Sequence, residues 1–361
     1  MPATTPTSAV DCVGPAIETA KNTMFKPFQW AKWWRIGLIG LATGEAAGSG
    51  GCNFNVGDLA NLGKQPPQQT EFLQSTPWGN LPMAQIAALV TILIVLLVLL
   101  VLVHLYIGSV LRFVLLEAVA KGKYRIREGW NRWHAHGVRY FGFQLLLLGI
   151  SLLGYGVLVG LPVLAGYSLG IFKAASQNWA VIAIGVLLLL PLVMLFAVGM
   201  AVVMVLFKDF GVPMMALENL PAIEAWRRVW AGVKGTKGDY LFYLLMKIVL
   251  TLAAAIIVGI VQFIIFLIPV IVLVAVGVGV FAAVPELIKS PAGIAMLATV
   301  VITAVFVLMF VGAIIASPAV VFFQAYVLEF FKGRYEPLRQ WMHPEPPAPP
   351  EMPTPPPLPA M

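Results

Sequence analysis

Long stretches without a charged residue alternate along this chain with short segments rich in Lys, Arg and Trp. Five uncharged stretches stand out, at 83–111, 140–172, 174–207, 248–285 and 290–328. Each exceeds the roughly 20 apolar residues that a helix needs to cross a bilayer, where no water satisfies the backbone. A sixth segment, 36–52, is Gly-rich, short and carries Glu45, so hydropathy alone marks it only weakly.

Charge placement supplies the rest of the topology. Taking alternate connections together, residues 1–35, 112–139, 208–247 and 329–361 hold 20 of the 23 Lys and Arg. Cytoplasmic connections carry such an excess, so this set is placed inside. The chain must then cross once between Arg35 and Met83, which makes 36–52 the first span. The stretch 248–285 is long enough for two spans. Two would put Lys332, Arg334 and Arg339 outside, so one tilted span is preferred, followed by an outer apolar segment, 270–284, that is re-entrant or interfacial. The expected fold is all-α: a polytopic transmembrane helical bundle of about six spans, arranged as three hairpins with interfacial amphipathic helices.

A repeated pattern supports the hairpins. Glu128, Trp130, Arg132 and Trp133 resemble Glu224, Trp226, Arg228 and Trp230, and a Tyr opens the following span in each case, at Tyr140 and Tyr240. Trp30, Trp33, Trp34 and Arg35 form a looser third copy. The outgoing spans end alike, in Leu116-Glu117, Leu217-Glu218 and Leu328-Glu329. In the middle copy Ile223, Trp226, Trp230 and Val233 share one helical face and leave Arg227 and Arg228 off it, with Asn219 and Pro221 at the start. Such a helix lies in the headgroup layer, apolar side down. The membrane-interface residues read from this pattern are Trp30, Trp33, Trp34, Arg35, Trp130, Arg132, Trp133, Trp226, Arg227, Arg228 and Trp230.

Composition agrees with this reading. Hydrophobic residues make up 60% of the 361 and charged residues 11%, against about 25% charged in a soluble domain. The net charge of +7 sits in inner connections, which points to anionic phospholipid and away from nucleic acid. Cys12 and Cys52 are placed on opposite sides and form no disulfide framework. The start of the chain has neither the charge nor the apolar run of a cleavable signal peptide. Residues 1–22 are expected to be flexible, 23–341 to form the membrane domain, and 342–361, with ten prolines after residue 343, to be a disordered tail.

Candidate chemistry is sparse. No phosphate-binding loop, nucleophile elbow or HExxH motif occurs. Ionisable groups within spans mark proton and ion pathways, and only His104 and Glu45 stand out. Gln144, Gln262 and Gln324 are read as hydrogen-bonding between helices. His134 and His136 lack the neighbours a metal needs. No cofactor and no enzymatic activity are expected.

The segment from Lys208-Asp209-Phe210 to Leu217-Glu218, with Glu224, Trp226, Asp239 and Tyr240, resembles uncharacterised bacterial membrane-protein families. These are similar to the membrane domain of some glycerophosphoryl diester phosphodiesterases. Phe25 to Phe28 with the Trp cluster fits the same resemblance, which covers residues 21–340. It implies a helical bundle in the bacterial inner membrane, and it transfers neither the phosphodiesterase activity nor any site residue. The expectation is a non-enzymatic scaffold or accessory factor with a possible membrane-protein partner; the alternative is a transporter or lipid-handling permease. In cells with a permeable outer layer, an impermeant thiol reagent should label Cys52 and spare Cys12; labelling of Cys12 alone would invert the orientation.

Overall fold

The structure is a computed structural model that describes residues 8–46, 83–122, 124–173, 177–283 and 290–342. Among these residues no strand occurs. The elements are α1 (Val13–Phe25), α2 (Trp30–Thr43), α3 (Met83–Lys121) and α4 (Ile126–Tyr155). A π-turn at Gly156–Gly160 leads to α5 (Leu161–Ser168). Then come α6 (Trp179–Leu206), a second π-turn at Phe207–Gly211, α7 (Val212–Glu218) and α8 (Ala222–Gly235). The chain closes with α9 (Lys237–Ala283), α10 (Pro291–Lys332) and α11 (Glu336–Met342).

Five helical segments are long and apolar enough to cross a membrane: Ala87–Lys121, Ile126–Ser168, Trp179–Glu218, Lys237–Val280 and Ala295–Lys332. They support a multi-pass membrane protein. The sixth expected span, 36–52, is not among these five, and only 36–46 of it falls in the described residues. Helix α2 has 14 residues, about 21 Å at a rise of 1.5 Å per residue, which is short of a bilayer. It stops where Gly44 takes a left-handed conformation (φ 74°), a geometry that glycine adopts without a Cβ clash. Residues 47–52, including Cys52, lie outside the described residues, as do 53–82 and the Pro-rich stretch 343–361.

Three expectations change. Residues 13–22 belong to a packed helix rather than a flexible end, because Ala16, Ala20 and Met24 recur on one face of α1 and are buried against α10. No separate outer helix begins near Pro269: α9 runs unbroken through it for 47 residues. The aromatic-basic segments also differ from one another. Only the middle one is a helix of its own, α8; the first copy of the motif forms the opening turns of α4, and the N-terminal copy is α2 itself. Asn219, expected to start α8, instead ends α7 in a left-handed conformation and accepts a hydrogen bond at Oδ1 from Arg139 Nη1, 2.8 Å away.

Packing is concentrated at one end. Fully buried side chains come from Val110 to Leu116 of α3, Tyr140 of α4, Phe207 to Met215, Tyr243 of α9 and Ala316 to Phe331 of α10, with Ile36 and Ile39 of α2. The other ends of the long helices stand exposed: Leu93 and Leu100, Leu187 and Leu195, Ile264 and Ile268, and Phe306 are each more than half accessible. Apolar surface on this scale is the kind that lipid covers.

Small residues let α2 enter the core. A Cβ on Gly37 would meet the Ile314 backbone at 3.0 Å, and one on Gly108 would overlap the carbonyl oxygen of Ala42. Ser317 Oγ donates to Trp33 O at 3.1 Å, and Trp33 Nε1 donates to Met24 O at 3.0 Å, so α1, α2 and α10 are tied together. Between long helices, Ser109 Oγ donates to Gln144 Oε1 at 2.6 Å and Gln262 Nε2 to Gly312 O at 2.9 Å. Overpacking of this kind costs typically 1–3 kcal/mol. Gly108→Ala should therefore lower the unfolding temperature in detergent, while Gly142→Ala, with open space around its Cα, should not.

Candidate functional site

The eleven interface residues do not share one environment. Trp30 is exposed, whereas Trp33, Trp34 and Arg35 are half-buried. Trp33 packs edge-on to Phe25 at 5.4 Å. Trp130 is half-buried against Tyr106. Trp133 is buried, 7% exposed. Its ring stacks on Phe113 at 5.9 Å and its Nε1 donates to Glu117 Oε2 at 2.7 Å, because that buried carboxylate needs donors. Arg132 pairs with the other oxygen of Glu117. On α8, Trp226 is half-buried and stacks on the exposed Trp230 at 5.9 Å, Arg227 is exposed, and Arg228 bridges Glu218 and Glu224. Ala222, Ala225 and Val229 form the buried face of α8, leaving Ile223 and Trp230 outward.

The principal polar assembly lies elsewhere, deeper in the core. Glu45 follows α2 and meets Lys208 Nζ at 2.7 Å and Arg112 Nη2 at 3.2 Å, both at its Oε1. Arg112 Nη2 also donates to Thr43 O at 2.9 Å, and its guanidinium lies 5.7 Å from the centre of the Tyr140 ring. Asp209 pairs with Lys247 and accepts from Tyr243 Oη at 2.9 Å. Three cations and two carboxylates thus connect α2, α3, the second π-turn and α9. Gln324, Val320 and Phe323 of α10 close the remaining side. A cavity of about 10 Å³ lies among them, room for a single water.

The π-turn explains how neighbouring Lys208 and Asp209 both enter the cluster. Pro213 has no N–H to offer the carbonyl of Asp209, and the Val212 N–H reaches back five residues to Phe207 O. The widened turn delivers Lys208 to Glu45 and Asp209 to Lys247. A proline follows the first π-turn in the same way, at Pro162. Lys208 and Arg112, both against the partly buried Glu45, offset the cost of burying its carboxylate. The cluster can order a water and fix four segments against one another. Arg112 lies nine residues, roughly 13 Å along α3, from Lys121 at the end of that helix.

Residues 7–340 match the family described as "Family of unknown function (DUF7544)". The chain belongs to this family. No curated protein and no solved structure matches it. The family match spans all the described helices but the last two residues of α11.

The expectation that buried ionisable groups are nearly absent is overturned by this cluster. Glu45 was the one member that hydropathy singled out. Arg112, Lys208, Asp209 and Lys247 read as loop charges, because each lies just beyond an uncharged stretch. A visible signal was the length of apolar sequence on both sides of Arg112 and Lys247, which keeps each charge inside a continuous helix. His104, by contrast, is exposed on α3. Removing one partner of a buried pair costs about 3–5 kcal/mol, whereas replacing both by apolar residues is often neutral. Asp209→Ala should thus strongly destabilise the protein to heat in detergent, and Asp209→Leu combined with Lys247→Met should recover much of the loss.

Proposed function

We propose that this is a multi-pass protein of a bacterial inner membrane that has no catalysis of its own and holds a partner at its cytoplasmic face. The observation that carries this reading is the one-sided division of the molecule. The ends of the long helices that pack together bear the charges, the aromatic-basic segments and the ionic cluster. The opposite ends of α3, α6, α9 and α10 carry no Asp, Glu, Lys or Arg among the described residues, and their exposed polar side chains are few, such as Gln85, Thr91, Thr299 and Thr303. A route for polar solutes needs polar groups along its length, and the polar cavity within the cluster has room for one water.

The rigid end suits a scaffold. Helix α8 presents Ile223 and Trp230 beside Arg227 and Lys234, with Lys234 Nζ 5.8 Å from the Trp230 ring centre. In the headgroup layer this surface attracts anionic phospholipid, at about 1 kcal/mol for each nearby Lys or Arg. The likeness of Lys208 to Glu218 to phosphodiesterase membrane domains is taken as kinship of the helical bundle and not of activity.

A second reading, a lipid-handling permease, has one observation in its favour. An apolar groove of about 380 Å³ opens between α1, α9 and α10, lined by Ile17, Phe25, Ala254, Ile257, Pro318 and Phe322 among others. Its lining matches an acyl chain. Mild purification of the intact protein from native membranes, followed by mass spectrometry, separates the two readings. A protein partner at fixed stoichiometry is expected, reduced several-fold by Arg227→Glu with Lys234→Glu. Retained lipid or solute without any protein partner would favour the permease.

A further inference from the structure

A second polar recess lies apart from the ionic cluster, with none of its lining residues. It has a volume of about 500 Å³ and lies between α2 and the connection from α3 to α4. Lys32 and Arg35 reach it from α2, Tyr124 and Arg125 from the connection, and Glu128 and Arg132 from α4. We propose that this recess is a binding site for a phosphate group, carried by a phospholipid headgroup or by a soluble phosphomonoester.

The argument begins with charge. Among the described residues, four cations from three segments converge on a space lined by one carboxylate, and like charges so placed repel unless something compensates them. Internal pairing compensates only in part. Arg125 Nη1 bonds Glu128 at 2.7 Å, with both side chains more than half exposed, and Arg132 is drawn to Glu117. Arg35 Nη1 donates to the Tyr124 carbonyl at 3.2 Å, a neutral partner that leaves its charge unbalanced. No carboxylate pairs with Lys32 among the described residues; its ammonium lies 5.7 Å from the centre of the Tyr124 ring.

Geometry points the same way. The first turns of α2 and α4 both line the recess, through Gln29 and Ala31 and through Glu128, and neither helix has a side-chain cap on its N-terminal amides. The positive end of α2 therefore adds to the four cations, while Glu128 in the first turn of α4 offsets that of α4. Arginine forks match phosphate oxygens, and the volume falls in the range of small-ligand sites, about 300–1,000 Å³. Trp30, on the same first turn of α2, is 60% exposed, as suits a ring at headgroup level.

The site deepens the scaffold reading by naming what one part of the basic surface binds, and it rests on that reading only for the lipid source. The intact protein in neutral detergent is titrated calorimetrically with glycerol 1-phosphate. In parallel, protein in phosphatidylcholine nanodiscs is titrated with short-chain phosphatidylglycerol. One equivalent should bind saturably in at least one arm. Binding in the first arm marks a soluble phosphate, and binding in the second alone marks the lipid. Lys32→Glu with Arg125→Glu should weaken it at least tenfold, and Lys32→Met, which breaks no ion pair, several-fold. Lys173→Glu with Lys237→Glu carries the same charge change elsewhere and should leave it unaltered. Absence of saturable binding in both arms, or equal loss in the control variant, overturns the proposal. A partner that still co-purifies would then leave the scaffold reading standing, and bound phosphate without a partner would remove only that reading.

Discussion

The structure depends on the difficulty of placing charge next to hydrocarbon. Arg112, Lys208 and Lys247 each interrupt a long apolar helix, and each must find a partner before the helix can settle in or near lipid. Glu45 and Asp209 supply those partners. Because the five charges come from four segments, satisfying them fixes the relative positions of α2, α3, the second π-turn and α9 at one level of the bundle. An apolar contact between the same helices would permit sliding and rotation. A hydrogen-bonded ion pair of 2.7 Å between Glu45 and Lys208 does so far less readily.

Around this level the rest of the core is assembled from aromatic rings and small residues. Tyr140 stacks on Phe207 at 5.8 Å and Tyr243 on Tyr326 at 5.5 Å, so rings from α4, α9 and α10 pack beside the cluster. Gly37 and Gly108 let α2 approach backbone to backbone. The result is a rigid end from which long apolar helices project with little mutual packing. Lipid offers helices no hydrophobic incentive to associate, so the projecting ends need no core, whereas the end that bears charge needs one. Packing and electrostatics are therefore located together for a single reason.

The same principle separates the two polar regions by what they can do. In the inner cluster three cations face two carboxylates around space for one water, an arrangement suited to holding structure. The recess between α2 and α4 is open, has four cations to one lining carboxylate among the described residues, and receives the N-terminus of α2. Paired charge in a closed space stabilises the fold, while unbalanced charge in an open one attracts a ligand.

Hydropathy and charge bias along the chain determined the helical class, the five long spans and the segregation of Lys and Arg, because lipid imposes length and apolarity locally, residue by residue. They also located Glu45 and the glutamines that bridge helices. They did not reveal that α2 packs into a protein core, since its burial comes from α3 and α10, and lipid and a protein core select the same apolar residues. The burial of Trp133 was hidden for a similar reason: the carboxylate of Glu117 that draws its indole inward lies 16 residues away. The convergence of Arg112, Lys208, Asp209 and Lys247 on one site, and of Lys32 and Arg35 with Arg125 and Arg132 on another, was decided only by tertiary structure. Charge is written in the sequence; whether it is paired, buried or left unbalanced depends on which distant helix packs beside it.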